Sequence, residues 1–147
     1  MKTIAGVIIA LLVSTTVAMA DDLAIGSVET FEGTVRLIRS GVDEVVSEGQ
    51  SVLRQDTIHT GPDGRVGIIL RDDTILSLGP NSILELKAYL FQPKKKEFSL
   101  VVRMLKGTFV YLSGVMGKLA PDAIRLETPD STIALRGTRL LIQVEGA

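Results

Sequence analysis

Apolar residues recur at every second position through residues 56 to 86, DTIHTGPDGRVGIILRDDTILSLGPNSILEL, in short segments separated by turn clusters. Val66, Ile68 and Leu70 share one side of an extended strand, as do Leu76 with Leu78 and Leu84 with Leu86, because successive side chains on a strand point to opposite faces. Those are the predicted inward faces. Between them lie Gly61-Pro62-Asp63-Gly64, Arg71-Asp72-Asp73 and Gly79-Pro80-Asn81-Ser82, residue types that supply positive φ, a preset φ or tolerance of left-handed backbone.

The same alternation runs outward in both directions. Gly26 with Val28 and Gly33 with Val35 and Leu37 mark two glycine-led strands, VDEVVSEGQS at 42 to 51 is polar and exposed, and Ile58 points inward with His59 outward. After Leu86 a long hairpin is predicted, its tip at Pro93-Lys94-Lys95-Lys96, because proline cannot donate to a ladder and lysines resist burial. Phe98, Leu100, Val102 and Met104 alternate, then Phe109 and Tyr111 against Val110 and Leu112 beyond a turn at Gly107. Residues 113 to 123 are a loop with room for a brief helical turn. Two closing strands are expected at Ile124 to Thr128 and Thr132 to Val144, with Gly137 as a kink or bulge. Short strands with a turn every eight to twelve residues give an all-β class. The spacing fits a compact, solenoid-like stack of short strands; a two-sheet β-sandwich has the same periodicity.

The run TG-x-DGR-x-x-I-x-L-x-D-x-T-x-L-x-LGPNS-x-L-x-L resembles the central motif of the FecR domain, the periplasmic part of regulators of iron-siderophore uptake. IGSVETFEGTVRLIRSGVDEVVSEGQSVLRQDTIHTG is similar to that family's opening, and KGTFVYLSGVMGK with IRLETPDSTIALRGTRLLIQV to its closing "TP-x-x-T-I-x-x-RGT" signature. The resemblance extends over residues 25 to 144. It implies a compact all-β fold with solenoid-like stacking and a binding or scaffolding role in envelope signalling. Family regulators carry a cytoplasmic anti-sigma segment and a membrane helix ahead of this domain. Here Met1 to Thr3 precede the apolar run, so direct contact with a sigma factor is not expected.

Residues 1 to 20, MKTIAGVIIALLVSTTVAMA, combine Lys2, an apolar run from Ile4 to Val13 and the small-x-small Ala18-Met19-Ala20, the order of a cleavable secretory signal peptide. The run is half the roughly 20 apolar residues that a bilayer span needs. Cleavage after Ala20 is expected, leaving residues 21 to 147 as one FecR-like domain in the periplasm, with release outside the cell as the alternative. The mature chain would have 15 basic and 17 acidic residues, without the positive field that attracts nucleic acid. The chain has no Trp, two Tyr and four Phe, a poor supply of stacking platforms for bases. It has no Cys, so neither disulfides nor thiolate metal sites contribute.

No motif for enzymatic chemistry is present. The single histidine, His59, lies in a strand pattern; there is no GxSxG elbow, Walker A loop or GxGxxG. Asp72 and Asp73 are adjacent, a poor geometry for a shared proton, and a turn role is expected for them in preference to calcium ligation with Asn81. Lys94, Lys95, Lys96 and Arg103 could form a positive patch. Arg136 and Arg139 in ALRGTR either brace acids within the fold, the favoured use, or clamp a partner's carboxylate; they are the candidate partner-binding residues. No cofactor and no metal are expected. The partner implied is another envelope protein, with self-association through sheet edges also open. Two further readings are a structural role in envelope assembly and small-molecule or glycan binding on a surface lined by Tyr89, Phe91, Phe98, Phe109 and Tyr111.

Overall fold

A computed structural model describes residues 24–135 and 137–145. Residues 1–23, where a signal peptide is expected, Arg136 and residues 146–147 lie outside the described residues. Twelve strands form one sheet: β1 (Ala24–Glu32), β2 (Val35–Arg39), β3 (Val42–Val45), β4 (Ser51–Leu53), β5 (Thr57–Thr60), β6 (Arg65–Leu70), β7 (Ile75–Leu78), β8 (Ile83–Gln92), β9 (Glu97–Leu112), β10 (Ile124–Glu127), β11 (Thr132–Ala134) and β12 (Arg139–Val144). The hydrogen-bonded path runs β3-β2-β5-β8-β9-β7-β6-β1-β4. Its ends, β3 and β4, do not pair with each other, so the sheet is curled but open.

The all-β expectation holds, and the strands stack compactly. Antiparallel neighbours carry that stack in place of the successive parallel rungs of a solenoid; among the described residues the one parallel pair is β9 with β10. The physical reason is in the connections. Two- to four-residue turns such as Arg71-Asp72-Asp73-Thr74 can only return the chain antiparallel, and Asp73 (φ 66°) and Asn81 (φ 54°) take the left-handed conformation there.

β9 is the spine. Its first part pairs with β8, from Glu97↔Gln92 to Lys106↔Ile83, and its last part pairs with β7, from Phe109↔Leu78 to Leu112↔Ile75. Its other side carries β10 along Leu100 to Arg103 and β12 along Gly107 to Leu112. The change of partners falls at Gly107, whose φ is 110° and where an added Cβ would fall on the Ser82 side chain. Only glycine fits there.

Every inward residue read from the alternation is buried: Val66, Ile68, Leu70, Leu76, Leu78, Leu84 and Leu86 join Val28, Leu37, Ile58, Leu100, Val102, Phe109 and Tyr111 in one core. Residues 113–123 contain the short helix α1 (Val115–Leu119), which inserts Met116 into that core. The lysine-rich hairpin tip is an exposed single turn, closed by Lys96 at φ 54°. The predicted last strand divides. β11 pairs with β10 and β12 with β9, and Gly137 between them has φ 83°.

Candidate functional site

The polar residues of the signature motif converge inside the protein. Asp56, Thr60, Asp72, Thr74 and Ser82 are the buried polar residues among those described, and each occupies a fixed position of the turn-strand pattern. Burial of such groups is tolerated only when their hydrogen bonds are satisfied.

Asp56 lies just before β5 and accepts the Arg39 guanidinium through two bonds, Nε to Oδ1 at 2.9 Å and Nη2 to Oδ2 at 2.8 Å. Its Oδ2 also accepts the Leu53 N–H at 2.7 Å, while Arg39 Nη2 donates to the Ser51 carbonyl at 3.1 Å. Hydrogen bonding to Asp56 raises the Arg39 pKa above its ordinary value. The pair ties β2 to the β4–β5 turn.

Thr60 and Ser82 clamp the Gly79-Pro80-Asn81 turn. Thr60 Oγ1 donates to the Gly79 carbonyl at 2.6 Å and accepts the Ser82 N–H at 2.8 Å; Ser82 Oγ accepts the Thr108 N–H at 3.1 Å. Asp72 is the third centre. Its Oδ2 accepts the Thr74 hydroxyl at 2.8 Å and the Met116 N–H at 3.1 Å, its Oδ1 accepts the Tyr89 hydroxyl at 3.1 Å, and its carbonyl accepts the Val115 N–H at 2.7 Å. One carboxylate therefore closes the β6–β7 turn, caps α1 from a distance and anchors β8. Burial, followed by the charge of Asp72, raises the Tyr89 pKa and keeps the phenol protonated. Burial raises the Tyr111 pKa too.

The outer face of the same sheet carries a shallow groove of about 540 Å³, lined by Thr30, Phe31, Val66, Ser77, Thr108 and Val110 among others. Strand register explains it. Thr30 pairs with Gly67, Gly67 with Ser77 and Ser77 with Val110, so these four form one transverse row. Gly67 contributes no side chain to the row, and Gly79 none beside it, so the floor is backbone. Phe31 stands exposed at the rim, with Glu32 and Arg65 as the charged lining residues.

The residues singled out in the sequence fall elsewhere. Arg136 lies outside the described residues. Arg139 is exposed and forms no ion pair among the described residues, so for this residue the expected bracing of an acid is not found. Its transverse row is Ser27, Ile69, Ile75 and Leu112, with no acid within it. Arg103 does not join a patch with Lys94, Lys95 and Lys96, since its Nε lies 3.9 Å from Glu127 Oε2, which Lys87 also approaches at 3.5 Å. His59 is half-buried on β5. Asp73 and Asn81 are exposed turn residues, and no group of three His, Cys, Asp or Glu among the described residues could hold a metal ion. Phe109 and Tyr111 are core residues, and Tyr89, also buried, reaches the lining of a small surface cleft beside Phe91 and Arg54. Phe91 and Phe98 pair half-buried with ring centroids 6.0 Å apart.

Sequence reasoning missed Arg39 and the groove. Asp56 stood in the quoted motif, but its partner is 17 positions away in the opening strands. The groove was signalled by Gly67 within the otherwise apolar β6, a pattern that marks close approach of another backbone or a ligand.

The FecR protein family model matches residues 56–147, and the chain belongs to that family. The match begins at Asp56, the carboxylate that receives Arg39. No curated protein matches the chain. Among solved structures, a "Cell surface anchoring domain" aligns at 32% identity over 42% of this chain and 83% of its own, with a TM-score of 0.40.

Proposed function

We propose that this FecR-family chain is an exported, non-catalytic module of the cell envelope that binds another envelope protein through the outer groove of its sheet. One observation carries the reading: the motif side chains with chemical capability, Asp56, Asp72, Thr60 and Ser82, are all committed to holding turns and strands together. What remains accessible is a surface of backbone, small hydroxyls and apolar side chains at Thr30, Gly67, Ser77 and Val110. That surface suits extended peptide or protein contact. The basic start, apolar run and Ala18-Met19-Ala20 support export with cleavage before Asp21.

A photo-crosslinking residue placed at Ser77 in the intact envelope is expected to capture a protein that the same residue at Lys95 does not. Gly67→Leu, which fills the groove floor once the Thr30 hydroxyl moves aside, should abolish that capture, with melting temperature followed to show that the fold survives. Equal capture from both positions, or capture unaffected by Gly67→Leu, would remove the groove from the reading.

A further inference from the structure

Of the strands that pair on one side alone, β3, β4, β11 and β12, the last is the longest, with six residues against four, three and three. Its backbone polarity can be worked out. Ser113 N–H donates to the Thr138 carbonyl at 2.8 Å, in the register that continues as Arg139↔Leu112. Bonded pairs alternate along an antiparallel ladder. Thr138, Leu140, Ile142 and Val144 therefore direct their backbone groups at β9, and Arg139, Leu141, Gln143 and Glu145 direct theirs to the open side.

The side chains of Arg139, Leu141 and Gln143 lie on the outer face of β12, and Glu145 follows its last residue, Val144; continuing the alternation by one step places Glu145 in the same row. Leu141 is 72% exposed. Arg139 and Glu145 stand at the two ends of this row, and both are exposed with no ion pair among the described residues.

We propose that β12 pairs with β12 of a second copy of this chain, antiparallel about a two-fold axis at Ile142. That register sets Arg139 opposite the partner's Glu145 and Leu141 opposite the partner's Gln143, by symmetry twice each. Both members of each pair are residues whose N–H and C=O face the open edge, so every outward backbone group in the pair finds a partner. Leu141 then lies diagonally beside the partner's Leu141, within reach across paired strands, and the exposed leucine is covered. Shifting the register by two residues in either direction leaves Arg139 facing Gln143 or Glu145 facing Leu141, and the charge match is lost.

The complementarity is testable because it is reciprocal. In sedimentation velocity of the mature chain over a concentration series, Arg139→Glu and Glu145→Arg should each weaken dimerisation about tenfold, since each creates two like-charge oppositions. The double reversal, Arg139→Glu with Glu145→Arg, should restore the wild-type constant. Melting temperatures followed alongside establish that the exposed substitutions leave the fold intact. A chain that stays monomeric at every concentration overturns the proposal, as does a dimer indifferent to the single reversals or not restored by the double one. Open-ended growth would mean head-to-tail contact and would overturn it too. None of these outcomes bears on the groove, which is read separately by crosslinking at Ser77.

Discussion

Arg39 at the end of β2 closes a two-bond fork on Asp56 just before β5, with the carboxylate 1% exposed and the guanidinium 31% exposed at its side chain. That difference predicts an asymmetry. Arg39→Met strands a buried carboxylate and should cost about 3 to 5 kcal/mol. Asp56→Asn leaves an acceptor for the Leu53 N–H and an arginine able to turn toward water, and should cost less. In urea melts the double variant should lose less than the two single losses added together.

Adjacent Asp72 and Asp73 should behave as opposites. Asp72→Ala leaves the Met116 N–H and the hydroxyls of Thr74 and Tyr89 without their acceptor, at a cost of about 3 kcal/mol or more. Asp73 is an exposed left-handed turn residue, so Asp73→Gly should change stability by no more than about 0.5 kcal/mol. Equal losses would refute the division of labour.

The register gives a second contrast. Leu76→Ala and Leu84→Ala remove side chains that are 3% and 1% exposed and should each cost about 2 to 5 kcal/mol. Ser77→Ala and Glu85→Ala, on the other face, should stay within about 0.5 kcal/mol. The same denaturant melts measure both.

Two glycines share a sign of φ and differ in surroundings. Gly137→Ala meets open space and pays for the left-handed backbone alone, about 1 kcal/mol. Gly107→Ala meets Ser82 as well and should exceed it by a further 1 to 3 kcal/mol, roughly the range for overpacking. Thermal melts of the two variants side by side decide.

Asp63 accepts the Thr34 N–H at 3.3 Å, and backbone hydrogen bonding holds its carboxyl below the usual range. A depressed folded value means stability present above the unfolded value and lost as pH falls through the folded one. The loss should begin near pH 4 and continue below it. Asp63→Asn should flatten that part of the stability curve; an unchanged acid limb would remove Asp63 as a contributor.

Much of this fold was legible because its strands bury one face. A period of two is then forced on Val66, Ile68 and Leu70 and on Leu76 and Leu78, and the turn residues between them name their own geometry. Strand order was not legible, since nothing in the local pattern says that β9 would serve both β8 and β7, or that Arg39 would find Asp56. The candidate site was legible in the wrong sense. Motif acids such as Asp72 carry the chemistry that catches the eye, yet their burial makes them framework, while Gly67, a residue with no side chain, shapes the accessible surface. ALRGTR drew attention through its arginines, and its structural event is the change of partner strand around Gly137.

The division of β9 at Gly107 sets an order on folding. Until residues 97–112 arrive, β8 and β7 each lack a neighbour, and a chain emerging amino terminus first holds two unsatisfied edges with apolar flanks. Docking of one strand closes both. The interval before β9 arrives is thus when this protein is most prone to aggregation, and a chaperone that shields β7 and β8 during that interval would protect most of the sheet.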